Sequence, residues 1–225
     1  MKPILIIGDH HGEYNTLFNL LDKGEVKDCI LIHVGDCGVG FKNPKKQKKD
    51  FFYLNNRFKK RGIEFLSIRG NHDDPSYFDG SVKFSNFKLI ADYSFFEING
   101  IKFGFVGGAI SIDRKTRTEG ENFFSGEEFV LKPELTQKCQ VLITHSGTPW
   151  NPCLFPNGDR LADFTGEDPT LREECVQERI QIAKLIELIK PQKHFCGHFH
   201  FFSLAENNGC VSRILGIMEI VELTQ

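Results

Sequence analysis

The sequence lacks several features that would place it at once in a familiar class of protein. No run approaches the roughly 18 apolar residues that a membrane-spanning helix needs. The first apolar run, residues 4–7, is too short for the hydrophobic part of a secretory signal and leads directly into Gly8 and Asp9. There is no internal repeat and no low-complexity tract. We therefore expect a soluble protein without a membrane segment.

The cysteines also lack a recognisable arrangement. The chain has 7 of them, an odd number, and no two are spaced as C-x-x-C, so neither a disulfide framework nor a zinc ribbon is indicated. Cys29, Cys139 and Cys196 lie in apolar stretches typical of buried strands, where a thiol packs as a small hydrophobic group. This usage predicts a reducing, cytoplasmic location.

The chain has little excess charge of either sign. Its 28 basic and 30 acidic residues leave a formal net charge of -2, which gives no global sign of a nucleic-acid or membrane-surface protein. Hydrophobic residues make up 40% and charged residues 26%, as in ordinary globular proteins. With 225 residues, we expect one domain, residues 1–225, with a sizeable core.

Short apolar runs alternate with helical stripes in the first third of the chain. The runs predict strands at residues 4–7, 30–34 and 64–68. The stripes, which predict the intervening helices, are formed by Tyr14, Leu17, Phe18 and Leu21, and by Phe51, Leu54 and Phe58. This alternation is typical of a mostly parallel sheet with helices on its faces.

The remainder of the chain has a different pattern. Asn99-Gly100 predicts a hairpin between strands 93–98 and 101–106, and Asn208-Gly209 predicts a second pair of short strands. Buried strands are predicted at 140–144 and 194–197, and a proline-containing surface loop at 147–169. Thr170 and Glu173 have the spacing of a capping box. The helix they open has an apolar stripe and should end at Pro191; the stripe is Val176, Ile180, Ala183, Ile186 and Ile189. The expected fold is one α/β domain with parallel and antiparallel strands.

Acidic, amide and imidazole side chains repeatedly follow the predicted strands. In chain order these segments are Asp9-His10-His11-Gly12, Gly35-Asp36, Gly70-Asn71-His72-Asp73, Thr144-His145 and Gly197-His198-Phe199-His200. The carboxyl ends of strands line the binding crevice of an open α/β sheet, so these residues should meet in space. Carboxylate, amide oxygen and imidazole suit divalent manganese, iron, zinc or nickel. The adjacent glycines would let the backbone turn sharply off each strand.

These five segments, in this order across residues 8–200, resemble the signature of the calcineurin-like metallophosphoesterases. The resemblance implies a calcineurin-like phosphoesterase sandwich, with mixed β-sheets flanked by α-helices. It also implies two divalent metal ions, manganese foremost, with iron, zinc or nickel as alternatives. The implied ligands are Asp9, His11 and His200 for one ion, Asn71, His145 and His198 for the other, and Asp36 bridging both.

The same resemblance implies a reaction. A hydroxide bridging the two ions would attack phosphorus and hydrolyse a phosphomonoester or small phosphodiester. His72, which is not a ligand in this family, would either orient the phosphate or protonate the leaving oxygen. His10, His33 and His194 match no ligand position and are expected to be structural.

The chain departs from the protein phosphatases of this superfamily, which have GDxVDRG at the second motif. Here Val39 stands at the second aspartate, and the phosphate-binding arginine has no counterpart, which argues against protein phosphatase activity. The carboxylate that usually steadies the histidine of the third motif is also missing. Asp73 and Asp74 are the candidates to replace it.

A glycine-rich stretch, residues 107–117, offers another source of arginine. Ser111, Arg114 and Arg117 are our candidate substrate-binding residues, because guanidinium groups bind phosphate oxygens with a fork of donors. The alternative is a solvated loop whose charges are incidental.

One block of positive charge leaves a second function open. Residues 42–49, with Lys59, Lys60 and Arg61, are rich in lysine and are interpreted as a solvated helix face. Because the block follows the Asp36 motif, it could instead attract a polyanion in a nuclease-like polynucleotide phosphoesterase. A non-catalytic scaffold, like the retromer-type member of the superfamily, is less consistent with retention of all seven ligands and His72. A phosphorylated small molecule is the expected partner.

Overall fold

The structure, a computed structural model, describes residues 1–152 and 160–224. The apolar runs form the strands of two β-sheets. The first sheet has the order β11-β1-β2-β3-β4, in which β1 to β4 are parallel and β11 pairs antiparallel with β1. Its strands are β1 (Ile4–Ile7), β2 (Ile30–His33), β3 (Glu64–Ser67), β4 (Phe87–Leu89) and β11 (Ile220–Glu222).

The second sheet has the order β5-β6-β7-β8-β10-β9. Strands β6, β7, β8 and β10 are parallel, and the two outer strands pair antiparallel. The strands are β5 (Ser94–Ile98), β6 (Ile101–Val106), β7 (Val141–Thr144), β8 (Lys193–Cys196), β9 (Ser203–Asn207) and β10 (Cys210–Ile214). Both predicted hairpins are confirmed, with Asn99-Gly100 and Asn208-Gly209 at positive φ as such turns require.

Three of the four described helices, the first, second and fourth, cover the outer faces of the two sheets, and the short third helix contacts the fourth. They are α1 (Tyr14–Lys23), α2 (Pro44–Lys60), α3 (Arg160–Phe164) and α4 (Leu171–Ile189). Apolar side chains of α1 and α2, such as Phe18 and Phe58, pack with Phe65 of the first sheet. On the far side, Ile182 of α4 packs with Leu142 of the second sheet.

Between the sheets lies the central core. Alternate residues of the first sheet, including Ile6 and Ile32, face Phe105 and Ile143 of the second sheet in one buried cluster. The protein is therefore a four-layer sandwich of helices, sheet, sheet and helix, which confirms the predicted fold class. No helix in the described part of the chain is both long and apolar enough to cross a membrane.

The segment before α4 differs from its prediction. Residues 160–164 form the short helix α3 inside the predicted loop, and residues 153–159, with Cys153 and Pro156, lie outside the described residues. Thr170 is not part of a capping box, because its backbone is already helical (φ -86°, ψ -12°) and an N-cap needs an extended conformation. Its hydroxyl instead donates to Glu174 Oε1 at 2.6 Å.

The buried face of α4 also differs from the predicted stripe. Val176 is 49% exposed, whereas Glu178 and Ile182 are buried. Pro191 does follow the end of the helix, as predicted. Cys29, Cys139 and Cys196 are buried, in agreement with the prediction.

Candidate metal centre

The carboxyl ends of strands from both sheets meet at one edge of the sandwich. Asp9, Asp36 and Asn71 follow β1, β2 and β3 of the first sheet. His145 follows β7 of the second sheet, and the segment bearing His198 and His200 follows β8. The structure therefore brings the strand-end residues of the sequence together.

The first group of possible ligands consists of Asp9, His11, Asp36 and His200. One ligand atom from each of these residues lies within 4.8 Å of the others. The Nε2 atoms of His11 and His200 are 2.8 Å apart, and His200 Nε2 is 3.4 Å from Asp9 Oδ2. His11 Nδ1 is 3.5 Å from Asp36 Oδ2.

The second group is centred on the side-chain oxygen of Asn71. Asn71 Oδ1 lies 3.0 Å from His145 Nε2 and 3.0 Å from His198 Nδ1. Asp36 Oδ1 lies 3.3 Å from His145 Nε2, while its other oxygen faces His11. Asp36 thus lies between the two groups, which is the position that a bridging carboxylate would need.

The charges of this site fit bound cations. Asp9 and Asp36 are each only 1% exposed, and within the described residues neither carboxylate pairs with a lysine or an arginine. Asp9 Oδ1 and Asp36 Oδ2 are buried and accept no hydrogen bond there. Buried carboxylates are costly unless a counter-charge offsets them, and divalent cations would supply it.

His145 points to the same conclusion. Its Nδ1 faces the carbonyl oxygen of Val34 at 2.8 Å and must donate to it, which leaves Nε2 facing the oxygens of Asn71 and Asp36. Burial opposes a charge on His145, but the carboxylates of Asp36 and Asp9 outweigh burial and raise its pKa to about 10. The two carboxylates that favour this proton would equally favour a divalent cation at Nε2.

The backbone around the ligands is strained in an unexpected way. His11, Asp36, His198 and His200 themselves have positive φ angles of 46°, 61°, 67° and 63°. Non-glycine residues seldom adopt this conformation, which concentrates at functional sites. Gly197 serves close approach rather than the turn that we predicted, because a Cβ there would collide with the carboxylate of Asp9.

His72 lies beside the two ligand groups and contacts Arg117. The guanidinium Nη2 is 3.0 Å from His72 Nε2, and Nη1 is 3.3 Å from Nδ1. Arg117 can only donate and a neutral imidazole has a single acceptor nitrogen, so only one of these two contacts, the shorter one to Nε2, can be a hydrogen bond. Burial lowers the pKa of His72, Asp36 opposes this effect, and Arg117 lowers it further. The lowered pKa favours the neutral form of His72 near pH 7.

The candidates for a carboxylate behind His72 have other functions. Asp73 accepts backbone N–H groups of Gly70, Cys37 and Val39 at 2.8, 3.0 and 2.9 Å. Asp74 caps a short turn by accepting from the backbone of Ser76. Asp113 is linked to His72 through Arg117, because its carboxylate pairs with the guanidinium of Arg117 at 2.7 Å.

The three candidate substrate-binding residues have different surroundings, although Arg117 Nη1 donates to the hydroxyl oxygen of Ser111 at 3.3 Å. Arg117 lines a cavity beside the ligands. Arg114 contacts Asp168 and Glu174, each at 2.6 Å. Ser111 is 1% exposed, and its hydroxyl oxygen is 2.9 Å from Asn71 Nδ2. Ser111 thus contacts Asn71, a candidate ligand, rather than open space.

Two buried carboxyl groups near the site were not identified from the sequence. Glu127 accepts both the N–H and the hydroxyl of Ser111 at 2.7 Å. Glu178 of α4 lines the cavity and accepts from the backbone of Phe129 at 3.2 Å. Neither residue follows a predicted strand or belongs to a predicted apolar stripe, so no sequence pattern indicated them.

A cavity of about 640 Å³ opens from the ligand groups, within the usual size range of small-molecule sites. Its inner end is formed by ligands and by His72, Asp113 and Arg117. The rest of its lining is largely apolar and includes Ile112, Leu161, Phe164, Val176 and Phe199. Lysine is absent from the described residues that line it; the lysine-rich residues 42–49 begin α2, with their ammonium groups exposed.

Comparisons with solved structures gave distant similarities. Zn²⁺-bound Vps29 of Entamoeba histolytica is 14% identical, with 95% of this chain and 73% of that one covered and a TM-score of 0.39. A predicted phosphoesterase of Streptococcus pneumoniae is 12% identical, with 96% and 72% covered and a TM-score of 0.32. GAP50 of Plasmodium is 11% identical, with 96% and 71% covered and a TM-score of 0.41. Similarities this weak carry no information about activity.

The family comparison is decisive. No curated protein matches the chain. The sequence model described as "Calcineurin-like phosphoesterase" matches residues 2–202, which include all seven possible ligands and His72. The chain therefore belongs to the calcineurin-like phosphoesterase family.

Proposed function

We propose that the chain hydrolyses a phosphomonoester or a small phosphodiester with the help of two divalent metal ions. The observation that carries this proposal is the arrangement of two ligand groups around one carboxylate. Asp36 faces His11 with one oxygen and His145 with the other, at 3.5 and 3.3 Å. The proposal also agrees with the family of the chain, because membership in the calcineurin-like phosphoesterases supports metal-dependent hydrolysis of phosphoesters.

The two groups would each hold one ion. Asp9, His11 and His200 would bind the first, Asn71, His145 and His198 the second, and Asp36 both. Carboxylate, amide and imidazole ligands suit manganese, which we propose first, or iron, zinc or nickel. When bound, such ions activate water as a nucleophile and neutralise charge on the phosphoryl group.

Arg117 and His72 would hold the phosphoryl group. Arg117 borders the ligands and its guanidinium is oriented by the carboxylate of Asp113, so its fork of donors can bind phosphate oxygens. His72 is held against Arg117 and, as a neutral imidazole, can donate a hydrogen bond to the substrate from one ring nitrogen. Together they would orient phosphorus toward the metal ligands.

The rest of the cavity favours a small, uncharged leaving group. Most of the described lining away from the proposed ligands is apolar. Its charged groups include the acidic residues Asp163 and Glu178. Arg179 also borders it, but donates to the backbone oxygens of Thr148 and Asn151. Additional phosphates would meet carboxylates rather than free cations. This environment favours a small organic phosphoester over a polynucleotide, for which the exposed lysines of α2 remain the supporting observation.

A substrate panel with manganese-loaded protein tests the proposal. It should contain nitrophenyl monoesters and diesters, alkyl phosphates, cyclic nucleotides, dinucleoside polyphosphates, phosphopeptides and RNA. We expect turnover of small esters that a chelator abolishes and manganese restores. Asn71→Ala, purified in the same way, controls for contaminating phosphatases. A protein with full metal occupancy that turns over no ester would refute the enzymatic function, and a preference for RNA with steep salt dependence would favour the nuclease alternative.

A further inference from the structure

The buried carboxylate of Glu127 lies two hydrogen bonds from a proposed metal ligand. Its Oε1 accepts the backbone N–H of Ser111 and its Oε2 faces the Ser111 hydroxyl, both at 2.7 Å. The hydroxyl oxygen in turn lies 2.9 Å from Asn71 Nδ2. Glu127 and Ser111 are 3% and 1% exposed, so water does not compete for these bonds.

The donors and acceptors in this chain of bonds allow one orientation. Ionised Glu127 can only accept, so the single hydroxyl proton of Ser111 must point toward it. The oxygen of Ser111 is then left as an acceptor for the amide group of Asn71. This places Asn71 Nδ2 toward Ser111 and Oδ1 toward His145 and His198.

The orientation of Asn71 matters because only its oxygen can bind a metal ion. A rotation of the amide by half a turn would present a donor NH₂ group to His145 and His198 instead. We infer that Glu127 is a positioning residue, which acts through Ser111 to keep the oxygen of Asn71 directed at the second metal site. This inference rests on the proposed two-metal function.

The segment that carries Glu127 is fastened to the strand end that carries Asn71. Arg69, two residues before Asn71, donates to the carbonyl oxygens of Gly126, Glu127 and Glu128 at 2.9, 2.7 and 3.1 Å. These bonds fix the distance between the carboxylate and the ligand. Supporting residues of this kind typically change metal affinity about 10- to 100-fold when they are replaced.

Glu127→Gln is the most direct test because it keeps the size of the side chain. Since Ser111 N–H needs an acceptor, the Gln oxygen would face it, and the NH₂ group would face the Ser111 hydroxyl. That hydroxyl would then turn its proton toward Asn71 and disfavour the bound orientation of the amide. Manganese titration at about pH 8.5, above the pKa of Glu127, which burial raises to about 7, should measure both sites in metal-free protein.

We expect Glu127→Gln to weaken the second site by about 10- to 100-fold and to leave the Asp9–His11–His200 site within threefold of wild type. Glu128→Gln, at the exposed neighbouring residue, is the matched control and should change neither. Ser111→Ala should reproduce the loss, and the double variant should add little, because both residues act through one path.

The two-site pattern separates positioning from general damage. Equal weakening of both sites, or unchanged affinity in Glu127→Gln, would overturn the inference. If Glu127→Gln fails to fold, Ser111→Ala decides by the same criteria. A wild-type protein that binds two ions but hydrolyses no ester would refute the proposed activity and still leave this inference testable.

Discussion

Arg117 and Arg114 lie three residues apart in one loop, and the structure predicts opposite consequences for their replacement. Arg117 borders the cavity and contacts both ring nitrogens of His72. Arg114 is held by Asp168 and Glu174. If the cavity binds the substrate phosphate, Arg117→Ala should impair binding, whereas Arg114→Ala should affect the packing of its segment.

The size of the Arg117 effect follows from the bonds it can make. Its side chain is 10% exposed, so a bond to phosphate would form where water competes poorly. One charge-assisted hydrogen bond contributes about 1.5–3 kcal/mol, which corresponds to an increase in KM of about 10- to 150-fold. The value of kcat should change much less, as for binding shared by ground state and transition state. Arg117→Lys should recover only part of the loss, because an ammonium group lacks the planar fork.

The control variant should behave differently in every measurement. The side chains of Arg114 and Asp168 are 21% and 5% exposed, so loss of this ion pair should lower the free energy of unfolding by about 1–3 kcal/mol. Its KM and kcat should remain those of wild type. The assay is steady-state hydrolysis of a nitrophenyl ester, with metal content measured for each variant. A KM for Arg117→Ala within twofold of wild type at full metal content would refute the assignment of Arg117 to phosphate.

Three further predictions concern other residues of the site. Asp36→Asn should weaken both metal sites, and metal analysis of reconstituted wild type should give two ions per chain; one or fewer would exclude the binuclear arrangement. His72→Ala should slow alkyl and nitrophenyl phosphates by similar factors, because burial lowers the pKa of His72 and keeps it neutral; an additional loss of about 10²–10⁴-fold confined to the alkyl ester would instead establish a general acid. Glu178 has its pKa raised from 4.5 to about 7 by burial, so in metal-free protein its ionisation should lower the free energy of unfolding as pH rises through that interval, by up to about 3 kcal/mol. Glu178→Gln should remove this contribution in denaturant titrations across the pH range, whereas Glu187→Gln, exposed on the same helix, should not; identical pH profiles for Glu178→Gln and wild type would contradict the argument.

The clustering of the proposed ligands at one edge of the sandwich could be predicted from sequence because its signals are local. Each ligand segment directly follows a short buried strand, and parallel strands necessarily bring their carboxyl ends to one edge. The apolar stripes of α1 and α2 marked their buried faces correctly for the same reason. A pattern within a few residues was sufficient in these cases.

The supporting residues could not be predicted because their partners are distant in sequence. Glu127 reaches Ser111 across 16 residues, and Ser111 reaches Asn71 across 40. Neither segment has a helical or strand period that would fix its direction. Strands β4 and β11 have three residues each, too short for such a period to appear. On α4, the buried carboxyl of Glu178 contradicts the apolar pattern because it borders the cavity.

The division of ligands between the two sheets explains why the site exists only in the assembled sandwich. Of the proposed ligands, Asp9, His11, Asp36 and Asn71 follow strands of the first sheet, and His145, His198 and His200 follow strands of the second. Cross-sheet bonds fix their relation, since His198 N–H donates to Asp9 Oδ2 at 2.8 Å and His145 contacts Asn71 and Asp36. Packing of the apolar core between the sheets therefore also sets the distance between the proposed ligands of the first sheet and those of the second, so a change in that core should alter metal affinity without replacing any of these residues.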